Sequence, residues 1–104
     1  MIIQPTDKYN QMYRILVRKQ PEITVVVLEK VRLFRKNPDD TRLKNHKLKK
    51  RLSGKWAFSV TDDIRIVYEW IEKNTARFLV IGGHTEVYST ARFPTSFACA
   101  RKKF

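Results

Sequence analysis

The spacing of apolar positions changes along the chain, from helical in the first third to strand-like after Trp56. Met1-Ile2-Ile3-Gln4 is a short apolar run stopped by Pro5, which suits a first strand. Thr6 or Asp7 can cap a helix, and Tyr9, Met12, Tyr13 and Leu16 then fall at i, i+3, i+4 and i+7. That pattern predicts one apolar face on a helix running to about Lys19. Pro21 fits the first turn of a second helix, with Glu22 at its positive end. Ile23, Val27, Val31 and Phe34 keep the helical spacing until Asn37-Pro38 stops it. The run Val25-Val26-Val27 by itself also fits a strand; Glu22, Glu29 and Lys30 at their positions favour helix.

Residues 39–51 read as a polar, charged connection, and three strands are expected at 56–60, 64–70 and 78–81. Thr61-Asp62-Asp63 and Glu72-Lys73-Asn74 are the turns between them. Connections this short favour antiparallel pairing, because a parallel return needs a crossover of a dozen or more residues. The expected fold class is α+β, in the order β-α-α-β-β-β. An antiparallel sheet of about four strands carries an N-terminal two-helix hairpin on one face. Strand alternation then assigns the faces. Trp56, Phe58 and Val60, with Ile64, Ile66, Tyr68 and Trp70, meet the helices, while Ala57, Ser59, Arg65, Val67 and Glu69 point the other way. The second face is expected to form a shallow basic groove containing Arg65. Residues 90–104, with Pro94 and the basic end Arg101, Lys102 and Lys103, read as a loosely ordered or weakly helical tail behind a domain at 1–89.

Charge sharpens this picture. Among 104 residues, 22 Lys and Arg face 10 Asp and Glu, a net charge of +12. Such a field draws nucleic acid through phosphate contacts and counterion release, with anionic membrane and an acidic protein as competing partners. A hydrophobic fraction of 42% argues against global disorder. The length allows one modest core. No apolar run is long enough to span a membrane, so a cytoplasmic protein is expected. The single Cys99 is read as incidental, and no spacing of His, Cys or carboxylates resembles a metal site. No glycine-rich phosphate loop is present, and no cofactor is implied.

Four segments stand out in order: His46-Lys47-Leu48, Gly54-Lys55-Trp56, Asp63-Ile64-Arg65-Ile66-Val67-Tyr68, and Ile81-Gly82-Gly83-His84-Thr85-Glu86-Val87-Tyr88. Together they resemble the RelE/ParE superfamily of bacterial type II toxins, and most of all its RelE/StbE branch with the YafQ-like RNases. The resemblance implies a RelE-like fold and a toxin that cuts mRNA, commonly on the translating ribosome. It also implies restraint by a co-expressed antitoxin, often acidic where it binds the toxin. The implied reaction is metal-independent: the RNA 2′-hydroxyl attacks the neighbouring phosphate. Arg65 takes the place of a phosphate-binding arginine, and His84 that of the acid or base. Tyr88 takes the place of an aromatic that stacks on or orients a base, and Asp63 that of an aspartate preceding the Arg-bearing strand. Two departures are visible. The exposed face of the second strand, expected at 56–60, offers only Ala57 and Ser59, where active relatives often carry Lys, His or Asp, and Gly83 replaces a Thr before His84.

The residue types fit that chemistry independently. A histidine titrating near neutrality can take the 2′-hydroxyl proton or supply one to the leaving 5′-oxygen. A guanidinium binds two oxygens of the charged transition state. His46 is the candidate for a second proton-transfer group if the basic connection folds over the groove. Lys44, Lys47, Lys49, Lys50, Arg51, Lys55 and Ser59 are the candidate RNA contacts. Each has a plainer reading: His84 and His46 as solvated side chains, Arg65 as a partner of Glu69 or Glu86, Tyr88 as packing, and Asp63 as a turn residue. Two rivals share the fold: a ParE-like inhibitor of DNA gyrase without a nuclease site, and an inactive relative that keeps only its antitoxin interface.

Overall fold

The structure, a computed structural model, describes residues 1–83, with Arg51 by its backbone alone. The elements run β1 (Ile2–Pro5), α1 (Asp7–Lys19), α2 (Ile23–Lys36), β2 (His46–Lys47), β3 (Trp56–Ser59), β4 (Ile64–Glu72) and β5 (Thr75–Gly83). Single 3-10 turns at Thr41–Leu43 and Lys50–Leu52 flank β2. The strands form one sheet in the order β1-β5-β4-β3-β2.

Each helix ends where its sequence says. The Thr6 hydroxyl accepts from the Tyr9 amide at 3.0 Å and so caps α1, while Arg18 and Lys19 complement its C-terminal end. Pro21 and Glu22 form the turn before α2, and the helix stops at Asn37, ahead of Pro38. The Val25-Val26-Val27 run is helical because Ile23, Val27 and Phe34 bury one face against the sheet.

The fold class is the expected α+β; the sheet differs in two ways. Its fifth strand, β2, lies inside the connection, where only two residues pair with β3. A span that short leaves no hydrophobic period to read. The sheet is mixed, because β1 joins β5 in parallel, with Ile2 opposite Thr75 and Pro5 opposite Phe78. The short connections that favour antiparallel pairing govern β3, β4 and β5, which do pair that way. They say nothing about β1, whose partner is the last strand described.

Both faces of the sheet are apolar. The helix side holds the main core, in which the Phe34 ring stacks on Phe58 at 4.8 Å and meets Tyr68 edge-on at 4.8 Å. On the other side Ala57, Val67, Leu79 and Val80 form a smaller buried cluster, against which Leu48 and Leu52 pack. A register shift between Val67 and Tyr68 allows this: Val67 faces Val80 but Tyr68 faces Phe78, so Leu79 is the extra residue of a bulge. Alternation therefore changes phase within β5, with Phe78 and Ile81 in the main core and Val80 in the second cluster.

Candidate active site

Among the described residues, the sheet face away from α1 and α2, the helix-free face, carries a polar row beside its apolar cluster. Ser59 on β3, Arg65 on β4 and Gly82 on β5 lie opposite one another across three strands. Arg65 donates from Nη1 to the Ser59 hydroxyl at 2.6 Å. Ser59 is only 8% exposed, so its hydroxyl supports the guanidinium from beneath. Gly82 places no side chain of its own beside Arg65. The result is a cation held at a fixed position on a rigid strand, suited to gripping a phosphate at two oxygens. Glu69 does not take Arg65 as its partner across the sheet; it pairs with Arg77 at 3.4 Å.

His46 shares this face. It pairs with Ala57, whose neighbour on β4 is Val67, two residues along from Arg65. Two strand spacings and two residues of rise put its Cα about 12 Å from that of Arg65, within reach of one nucleotide unit. Its imidazole is exposed, and Nδ1 lies 3.0 Å from the Lys44 carbonyl oxygen. Behind it Asn45 is tied down twice. Its Oδ1 accepts from the Tyr68 hydroxyl at 2.9 Å, and its Nδ2 donates to the Pro38 carbonyl at 3.0 Å. Tyr68 is fully buried, and burial pushes its hydroxyl up to about 12. The connection that carries His46 is thereby anchored to the core.

Asp63 lies in the turn before β4. Its amide and that of Ile64 donate to the Thr61 hydroxyl at 3.3 and 3.0 Å, the geometry of a turn residue. Its carboxylate is exposed and points toward Gly83, where a Cβ would stand 4.0 Å from Oδ2. Gly83 pairs with Ile64 and immediately precedes His84 in the sequence, so Asp63 flanks the last described residue of β5. His84 and Tyr88 lie outside the described residues, as does the tail.

The basic connection divides. Leu48 and Leu52 lock residues 48–55 over the second face, helped by the Leu48 amide bonded to the Lys55 carbonyl at 2.9 Å. Lys49 and Lys50 are exposed on this covering segment, and Lys55 is half-buried at its base. Lys44 is exposed in a left-handed turn residue before His46, and the Arg51 side chain is not described. Lys47 points away from Arg65: it pairs with Trp56 and sets its ammonium 5.4 Å from that ring, on the helix side of the sheet. The shallow groove expected along the whole second face is shortened, because Ala57 is fully buried beneath the leucines. The Asn45–Tyr68 tie and the leucine cover escape a reading of the sequence, because the partners are far apart along the chain.

Toxins are among the solved structures that share this fold. A YoeB/ParE toxin from Agrobacterium tumefaciens superposes with a TM-score of 0.69 at 19% identity, covering 81% of this chain and 99% of its own. The fold is that of the RelE/ParE toxins. YafQ from E. coli strain BL21(DE3) matches the same RelE/ParE-like core with a TM-score of 0.71 at 18% identity over 83% of this chain and 96% of its own. YafQ in the E. coli DinJ–YafQ complex matches at 0.66 and 16% identity, over 83% and 96%. No family model matches the sequence, and no curated protein does. Among the described residues no helix is long and apolar enough to cross a membrane, and no cluster of His, Cys, Asp and Glu could hold a metal ion.

Proposed function

We propose that the protein is the toxin of a toxin–antitoxin pair, an endoribonuclease acting on mRNA in the cytoplasm, in association with the ribosome. The observation that carries this reading is the Arg65 guanidinium, fixed by Ser59 on the helix-free face of a RelE/ParE toxin fold. In the proposed reaction a base takes the proton of a 2′-hydroxyl, whose oxygen attacks the adjacent phosphorus. The bond from phosphorus to the 5′-oxygen breaks, and an acid protonates the leaving oxygen. The products are a 2′,3′-cyclic phosphate and a free 5′-hydroxyl. Arg65 binds the phosphoryl oxygens as charge builds on them. His84 is assigned to one proton transfer and His46 to the other, with Asp63 orienting the His84 end and Tyr88 stacking on a base. Lys44, Lys49, Lys50, Arg51 and Lys55 supply the surrounding positive potential.

An acidic antitoxin is the proposed partner, supported by the DinJ–YafQ complex among the structural matches. The helices offer it a surface: Val25 and Leu28 are 64% and 58% exposed. Beside them runs a groove lined by Tyr13, Arg14, Val17, Arg18 and Thr24. Its arginine rim favours an acidic amphipathic segment and repels a second copy of a chain with net charge +12.

One observation favours the gyrase-inhibitor reading: β3 presents no titratable group on the helix-free face, where Ala57 is sealed off. The test is cleavage of labelled mRNA in EDTA, with and without translating ribosomes, beside Arg65→Ala and His84→Ala. Cyclic-phosphate ends formed by the parent and lost in both variants support the RNase. Intact RNA in every lane, from protein that still blocks supercoiling, would transfer the assignment to gyrase inhibition.

A further inference from the structure

His46 stands on a strand of two residues, too short for its own ladder to fix where the imidazole points. Successive side chains of a strand face opposite ways, so a slip of one residue would put Asn45 or Lys47 where the imidazole now stands. Something outside the strand has to hold it. On the C-terminal side that is Leu48, which packs on the second cluster and donates its amide to the Lys55 carbonyl at 2.9 Å. On the N-terminal side the chain arrives through Leu43, fully buried in the main core, and Lys44, which is left-handed at φ 52°. A residue with a side chain keeps that conformation only where its surroundings impose it.

Asn45 is placed to impose it. Its Oδ1 accepts from the Tyr68 hydroxyl and its Nδ2 donates to the Pro38 carbonyl, so both ends of the amide are tied to points distant in sequence. Tyr68 is a firm post: its fully buried ring meets Phe34, Phe58 and Trp70. Both ties hold the peptide that joins Lys44 to Asn45, a rigid plane that includes the Lys44 carbonyl. That carbonyl oxygen lies 3.0 Å from Nδ1 of His46. A carbonyl only accepts, so Nδ1 carries the proton and Nε2 of the neutral ring keeps its lone pair. A free histidine populates this tautomer less than the other. Asn45 therefore bears on which nitrogen of His46 is basic as well as on where the ring stands.

We propose that Asn45 is a positioning residue for RNA cleavage: its ties to Tyr68 and Pro38 aim the Lys44 carbonyl, which holds His46 with Nε2 as the base for the 2′-hydroxyl proton. The proposal rests on the RNase reading and on the proton transfer given there to His46. It adds which nitrogen acts and what aims it. Asn45 lies on the helix side with Tyr68 and acts through His46 rather than on the RNA.

Two readouts test it. Steady-state cleavage of labelled mRNA compares the full-length parent with Asn45→Ala, Tyr68→Phe and His46→Ala, and with the first two changes each combined with His46→Ala. NMR of protein labelled at the histidine ring nitrogens, at a pH where the imidazole is neutral, reads the tautomer without any need for activity, and His46→Ala assigns the signals. Asn45→Ala is expected to lower kcat about tenfold with KM unchanged, the scale of a misaimed group. Tyr68→Phe keeps the ring and removes one tie, so it should give a smaller loss of the same kind, and it decides the matter if Asn45→Ala does not melt cooperatively. In the His46→Ala background neither change should lower the rate further. The parent should hold the His46 proton on Nδ1, and Asn45→Ala should move it toward the mixture of a free histidine. A loss that persists in full without His46 would make Asn45 merely structural and overturn the proposal, as would a tautomer that Asn45→Ala leaves unchanged. His46→Ala that cuts as the parent does would take His46 out of the reaction and Asn45 with it. A tautomer shifted by Asn45→Ala, in a parent that cuts nothing, would sustain the aiming of His46 and remove the RNase reading instead.

Discussion

Arg65 and Ser59 divide one task. The guanidinium supplies charge, and the buried hydroxyl beneath it supplies position. Arg65→Ala is expected to lower turnover on mRNA about 10²–10³-fold, the scale of losing one transition-state donor. Ser59→Ala keeps the charge and loosens its aim, so turnover should fall about tenfold with little change in KM, and Ser59→Thr should restore it. Single-turnover kinetics on one labelled transcript separates the two. Tyr68 acts on stability. Burial raises its hydroxyl to about 12, and Tyr9 is raised further still by the same cause. Since an unfolded tyrosine ionises near 10, the folded state keeps its proton longer. That stabilisation is complete below pH 10 and is lost as pH climbs from 10 through about 12. Thermal melts across that range should show Tm falling with pH. Tyr68→Phe should flatten the fall, at a cost of about 1 kcal/mol near neutrality from the lost bond to Asn45.

At the scale of elements, α1 does more than cover the core. The β1 pairing ends at Phe78, and α1 packs along the remainder of β5. Thr6 is the joint between them: its hydroxyl caps α1 at the Tyr9 amide and donates to the Leu79 carbonyl at 2.9 Å, at the bulge. Thr6→Ala should cost about 1–2 kcal/mol by urea denaturation, with Thr6→Ser recovering most of it. The cap itself was legible, because Thr6 stands immediately before an apolar period of 3.6. Its second bond was not, since nothing local marks Leu79 as the extra residue of a bulge. The same limit explains β2. Two residues form a strand only because the edge of β3 offers them a ladder, and that strand puts His46 on the Arg65 face and Lys47 on the other.

The whole molecule presents different chemistry on different sides. The helix-free face holds a positioned arginine, and the α1–α2 groove exposes apolar side chains between arginines. If the antitoxin uses the groove, Leu28→Asp should weaken the purified complex at least tenfold by isothermal titration calorimetry. Cleavage of mRNA by the same variant should be unchanged, since Leu28 faces solvent on the side away from Arg65. Equal affinity for parent and variant would place the antitoxin elsewhere.

The sequence by itself determined both helices, the antiparallel order of β3, β4 and β5, and the faces of β3 and β4. Periodicity, caps and short turns are local signals that act before any distant contact forms. It also singled out Arg65, because a guanidinium on an alternating strand has no packing use. Tertiary structure alone decided the parallel place of β1, the phase change at Leu79 and the closing of the Ala57 face by Leu48 and Leu52. It also decided the split of the basic connection between two faces. Each depends on partners far apart in sequence, whose pairing is chosen by mutual burial and hydrogen-bond satisfaction rather than by neighbouring residues.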